Sequence, residues 1–67
     1  MTNTAELKAQ IVRNNDTQVK LAKHLHMSVS CLNQKINGNS DWRSDEIKMV
    51  AERYHLTDEA ITAIFFN

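Results

Sequence analysis

Residues 17–38 read TQVKLAKHLHMSVSCLNQKING, and the rest of the 67-residue chain is organised around them. Thr17 is a capping residue type, whose hydroxyl accepts a hydrogen bond from an otherwise unpaired helical N–H, which predicts a helix from Gln18 to about His24. Ser28 is a second cap. Asn37-Gly38 is a stop, because glycine tolerates the left-handed conformation that ends helices, so a second helix is predicted between them. Only Leu25, His26 and Met27 separate the two. A connection that short forces the helices to cross, with Leu21, Ala22 and Leu25 facing Leu32 and Ile36. The small side chain of Ala22 suits a close approach of the two backbones.

Two short helices joined in this way are the sequence form of a helix-turn-helix, whose second helix can enter the DNA major groove. The stretch resembles the DNA-binding domain of the phage lambda-repressor and Cro type, also called the Xre type. The residues that carry the resemblance are Thr17-Gln18, Leu21-Ala22, Leu25-x-Met27-Ser28, Leu32 and the closing Lys35-Ile36-Asn37-Gly38. Downstream, Asp41-Trp42 followed by Asp45-Glu46-Ile47 is similar to small phage regulators. The resemblance runs from about Thr4 to Phe66 and implies a compact, all-α, five-helix domain. One position departs from it. His26 stands where the family's turn usually carries glycine, and a positive φ there strains a residue with a side chain, so a slightly reshaped turn is expected.

Composition sets the bounds. A chain of 67 residues makes one domain, 1–67, and such chains bury only ~60% of the surface they expose when unfolded. That leaves little material for a water-excluding catalytic cleft, so no enzyme activity and no catalytic residue is expected. No apolar run approaches the length of a membrane span and no signal-peptide pattern is present, which points to the cytoplasm of a bacterial host and to no membrane partner. The single Cys31 agrees with a reducing compartment. The formal net charge is zero, but its distribution is uneven: residues 8–43 carry an excess of four positive charges and residues 44–67 an excess of three negative ones. The half holding the helix-turn-helix is therefore the basic half, as attraction to phosphate requires. The excess is thin, so DNA affinity of one copy should be weak and strongly salt-dependent.

Outside the central stretch, Thr4 is expected to cap a first helix reaching about Asn14, with Leu7 and Ile11 as its buried stripe and Val12 at the edge. Asn14-Asn15-Asp16 is a turn signal. Asn39-Ser40-Asp41 reads as a loop pinned by Trp42. A fourth helix from about Ser44 sets Ile47, Val50, Ala51 and Tyr54 at i, i+3, i+4 and i+7, a core stripe. Thr57 caps a fifth, in which Ile61, Ile64 and Phe65 can pack inward.

On the second helix of the central stretch, Leu32 and Ile36 define the buried side at 100° per residue. The opposite side carries Ser30, Gln34 and Asn37, flanked by Asn33 and Cys31. Asn33 and Gln34 are residue types able to bond adenine N6 and N7 in bidentate fashion, Ser30 reaches a base edge or a phosphate, and Val29 suits a thymine methyl. The same face also suits plain solvation; the turn, the caps and the resemblance tip the reading to base contact by Val29, Ser30, Asn33 and Gln34. Gln18 opens the first helix of the motif, where N–H groups attract anions, and in the resembled family a glutamine there binds the DNA backbone. Lys20, Lys23, Ser28, Lys35, Asn37 and Arg43 complete the expected phosphate contacts. His24, His26 and His55 with Cys31 lack the i, i+4 spacing of ligands on one helix face, so neither a metal nor another cofactor is expected.

The end of the chain is a separate candidate. Ile64, Phe65 and Phe66 cannot all face the core of so short a helix: the surplus ring either caps a small core or, with Ile61, Ile64 and Phe65, belongs to an apolar patch for another protein, which is the expectation here. The occupant is either a second copy, giving a homodimer with paired recognition helices, or a different repressor. The function these features point to is a DNA-binding transcriptional regulator of a phage genetic switch, reading double-stranded operator DNA with the helix after Ser28. The alternative is a modulator of repressor, or antirepressor, acting by binding the cognate phage repressor. An antitoxin shares the DNA-binding core but needs an extra toxin-binding segment, for which this chain has little room.

Overall fold

A computed structural model describes all residues from Met1 to Asn67. It contains five helices and no strand: α1 (Thr4–Arg13), α2 (Gln18–His24), α3 (Val29–Ile36), α4 (Ser44–Tyr54) and α5 (Asp58–Phe65). The starts follow the capping chemistry. The hydroxyls of Thr17, Ser28 and Thr57 accept from the N–H groups of Lys20, Cys31 and Ala60 at 3.0–3.1 Å. Each bond satisfies a donor that the first helical turn leaves unpaired. α1 departs from expectation. Its cap is Asn3, whose side-chain oxygen accepts from Glu6 N–H at 3.2 Å. Thr4 is the first helical residue, and its hydroxyl donates instead to the Ile36 carbonyl at 2.7 Å, tying α1 to the end of α3. α4 starts after Arg43, a residue with no acceptor; here Glu46 reaches back and accepts the Arg43 N–H at 2.9 Å.

Four of the five helix ends share one device. Asn15, His26, Gly38 and His55 all have positive φ, between 52° and 79°. After α1, Asp16 N–H donates to Ile11 O and Asn15 N–H to Val12 O; after α2, Met27 N–H donates to Ala22 O and His26 N–H to Lys23 O. After α3, Asn39 N–H donates to Gln34 O and Gly38 N–H to Lys35 O. These paired bonds are the Schellman arrangement, which consumes carbonyls the helix end would otherwise strand. His26 therefore does not reshape the turn after α2. It takes the left-handed conformation at φ 57°, in the place where glycine is unstrained. His26→Gly is expected to stabilise the chain by about 0.5–1 kcal/mol, relief of left-handed strain outweighing the extra freedom of the unfolded chain. A thermal melt reads this as a rise of several degrees; a fall would show that the imidazole contributes contacts worth more than the strain.

One core joins all five helices. Leu7 and Ile11 of α1 meet Leu21, Ala22 and Leu25, then Leu32 and Ile36 of α3, Val50 and Tyr54 of α4, and Ile64 and Phe65 of α5. Trp42 pins the 37–43 loop as expected: its ring meets Phe65 edge to face at 5.1 Å and its indole N–H donates to Lys35 O at 3.2 Å. Two corrections follow from burial. Ile64 and Phe65 are closed into this core and cannot belong to an exposed patch for a partner. Conversely, Ile47, Ala51 and Ile61, three positions of the expected core stripes, are only half-buried. Val12, expected at the edge of a stripe, is exposed.

Candidate nucleic-acid interface

The outward side of α3 is built by what lies behind it. Leu32 and Ile36 are fully buried and fix the rotation of the helix. Four residues join it to α2, which packs against it. Val29, Ser30, Cys31, Asn33, Gln34 and Asn37 are left exposed. That face carries no charge. It offers two carboxamides and a hydroxyl on α3 itself, with Asn37 at the C-terminal end. Asn37 donates through its amide nitrogen to the side-chain oxygen of Asn33, which couples the two carboxamides and leaves the Asn33 amide nitrogen and the Asn37 amide oxygen without a partner in the chain. The side-chain amide of Gln34 makes no hydrogen bond within the chain, so both of its halves are free for a base edge.

The expected phosphate contacts divide. Gln18 is the first residue of α2 and half-buried there, behind the Thr17 cap. Lys20 and Lys23 are exposed with no ion partner. Ser28 accepts the Cys31 N–H, and its own proton remains free to donate. Arg43 is exposed, 3.5 Å from the equally exposed Asp45, a pair too solvated to hold it away from another anion.

Lys35 is the correction. Its side chain is only 9% exposed, and its ammonium is held by Glu46 Oε1 and the Asp41 carbonyl, each at 2.9 Å. The same Glu46 oxygen accepts the Arg43 N–H. Lys35 lies about 60° round the helix from Leu32, on the margin of the buried stripe, and its charge is consumed in joining α3, the loop and the start of α4. It is a structural cation, not a phosphate ligand.

A second buried ionic cluster was not foreseen at all. Asp16, in the turn between α1 and α2, has a side chain 4% exposed and receives Arg53 Nε at 2.8 Å and Nη2 at 3.0 Å, with Tyr54 Oη at 2.6 Å. The guanidinium of Arg53, ahead of the Tyr54 hydroxyl, holds the Asp16 carboxyl well below the usual carboxylate range against the cost of burial. Burial, then the neighbouring carboxylate, pushes the Tyr54 hydroxyl up. Asp16 raises the guanidinium of Arg53. Residues 37 or more apart are involved, so no local pattern announces the cluster. It ties the turn that leads into Thr17 and Gln18 to the end of α4.

At the other end, Phe66 is 64% exposed beside a groove of about 580 Å³ that Trp42, Ile47 and Met1 also line. Of the four apolar residues expected there as a patch, Phe66 is open and Ile61 half-open. No group of three or more histidine, cysteine, aspartate or glutamate side chains is placed to hold a metal ion, and no helix is long and apolar enough to cross a membrane.

A family model described as "Protein of unknown function (DUF739)" matches residues 3–67. The chain belongs to this family. The match takes in every helix of the DUF739 chain, from the Asn3 cap to the end of α5. No curated protein and no solved structure matches it.

Proposed function

We propose that this DUF739 chain is a DNA-binding transcriptional regulator of the lambda-repressor and Cro type, and that α3 reads operator DNA in the major groove. The observation that carries the reading is the exposed, uncharged and donor–acceptor-rich face of α3, set by its caps immediately after α2. Base edges discriminate through such groups, whereas phosphate contacts position the protein without reading sequence. Gln34 is the principal base reader, Asn33 reads with an amide oriented by Asn37, and Val29 and Ser30 flank them. Gln18, Lys20, Lys23, Ser28 and Arg43 hold the DNA backbone. With Lys35 withdrawn, the backbone set has three cations, and affinity is expected to fall with salt about one unit of log–log slope less steeply than four would give.

Gln34→Ala should cost about 1–3 kcal/mol at the specific site and relax the sequence preference at one position. Binding titrations against the specific site and a scrambled duplex check it: an equal loss on both would mean that Gln34 reads no base.

A second reading has its own observation. The exposed Phe66 ring and the small number of free cations fit a protein that works through a partner, a modulator that binds the cognate repressor. Titrating the repressor into the protein, with and without Phe66→Asp, separates the two. Abolition of the complex by this substitution on the surface of α5's end supports the modulator, and an unchanged complex excludes the tail as its contact.

A further inference from the structure

α4 and α5 leave a groove of about 540 Å³ between them. Ile47, Ala51, Leu56 and Ile61 line it and are all only half-buried, although their spacing marks Ile47 and Ala51 as core positions of α4. Ile47, Leu56 and Ile61 pack one side against the core and leave the other open, whereas Val50 and Tyr54 are closed inside it. A contiguous apolar strip of this kind, unfinished by its own chain, is characteristic of a covered surface.

Its rim identifies the cover. Lys48 and Glu52 stand one turn apart on α4, beside the groove, and neither takes part in an ion pair. Lysine preceding glutamate at i, i+4 is the less favourable order for pairing within a helix, so both charges are left for another molecule. A surface with one positive and one negative charge flanking an apolar strip is complementary to itself. A two-fold axis crossing α4 between them sets α4 antiparallel to its copy and brings each lysine against the other chain's glutamate. An acidic or basic partner would satisfy one charge and repel the other.

We propose that a second copy of this chain docks on the α4–α5 groove about a two-fold axis, Lys48 of each copy pairing with Glu52 of the other. The dimer holds whether or not α3 reads DNA; if it does, two recognition helices are presented together. Phe66 does not line this groove, although Ile47 lines both it and the groove beside Phe66.

Sedimentation equilibrium of the full chain from micromolar to millimolar concentration tests it. The weight-average mass is expected to rise from 7.7 kDa toward twice that value. Lys48→Glu alone and Glu52→Lys alone each place like charges opposite one another at two points and should weaken self-association at least about tenfold. The double exchange, Lys48→Glu with Glu52→Lys, restores opposite pairs and should recover most of the loss, which additive effects would not. Circular dichroism of these surface variants is expected to match the parent. A monomer throughout the range overturns the proposal and assigns the groove to a different chain. Self-association that the single exchanges leave intact, or that the double exchange fails to recover, overturns it equally.

Discussion

Lys35→Ala is expected to cost about 3–5 kcal/mol, because it leaves the Glu46 carboxylate, whose side chain is only 13% exposed, without its counter-ion. A chain of this length commands roughly 3–10 kcal/mol in all, so the variant should be largely unfolded or close to it. The loss spreads beyond one ion pair. Lys35 also donates to the Asp41 carbonyl, and the indole of Trp42 donates to the Lys35 carbonyl, so the 37–43 loop is held from both sides of the same residue. The double variant Lys35→Met with Glu46→Gln should regain more than half of the loss. It removes both charges together, keeps an acceptor for the Arg43 N–H, and avoids leaving a single buried ion. Urea denaturation of the two single variants and the double one measures the coupling. A Lys35→Ala protein as stable as its parent, with weaker DNA binding, would return Lys35 to the phosphate contacts.

Asp16→Asn is the second large effect, expected at about 2–4 kcal/mol near neutral pH. The amide accepts less strongly from Arg53 and Tyr54, and a guanidinium that is 29% exposed recovers part of its solvation, which keeps the cost below that of a fully buried pair. The pH dependence is more specific than the magnitude. Asp16 titrates below its ordinary range in the folded chain and near ~3.9 when unfolded. In the interval between, the unfolded chain binds a proton that the folded chain does not, so stability rises with pH. The contribution is complete above the unfolded value and is lost as the pH falls through that interval. Asp16→Asn should therefore flatten the acid limb of the stability curve while leaving its shape above about pH 5 unchanged. Denaturant midpoints measured across that range check it. An acid limb as steep in the variant as in the parent would place the responsible carboxylate elsewhere.

The helices were legible because their starts are written locally. Thr17, Ser28 and Thr57 each act on an N–H three residues away, and Asn37-Gly38 ends α3 with a conformation that its own residues favour. Thr4 was misjudged by one position, since asparagine and threonine both cap, and the hydroxyl had a distant partner in the Ile36 carbonyl. His26 followed the rule for the turn rather than the rule for its residue type: two backbone hydrogen bonds to α2 outweigh the strain. The exposed face of α3 was legible from periodicity alone.

The ionic clusters were not. Lys35 sits on the margin between the buried and exposed sides, where angle does not decide. Its acceptor is on another helix, eleven residues away. Asp16 reads as part of a turn, which it is, but its partners are 37 and 38 residues distant. Ile64 and Phe65 were grouped with Phe66 because three adjacent apolar residues cannot share one face; the fold resolves the conflict by closing the first two inward and leaving Phe66 outside. Ile47, Ala51 and Ile61 show the converse, an apolar stripe that periodicity assigns to a core too small to cover it.

The most direct test of the central claim is amide shift mapping of the protein during titration with duplex DNA from the region beside its own gene, repeated at raised salt. Movements are expected to concentrate at Gln18 and at Val29, Ser30, Asn33 and Gln34 and to fade as salt weakens the complex, with Lys35 and the α4–α5 groove quiet. Movements confined to Phe66 and the groove lined by Trp42, or none on α3 at a salt concentration where the DNA is bound, would contradict it.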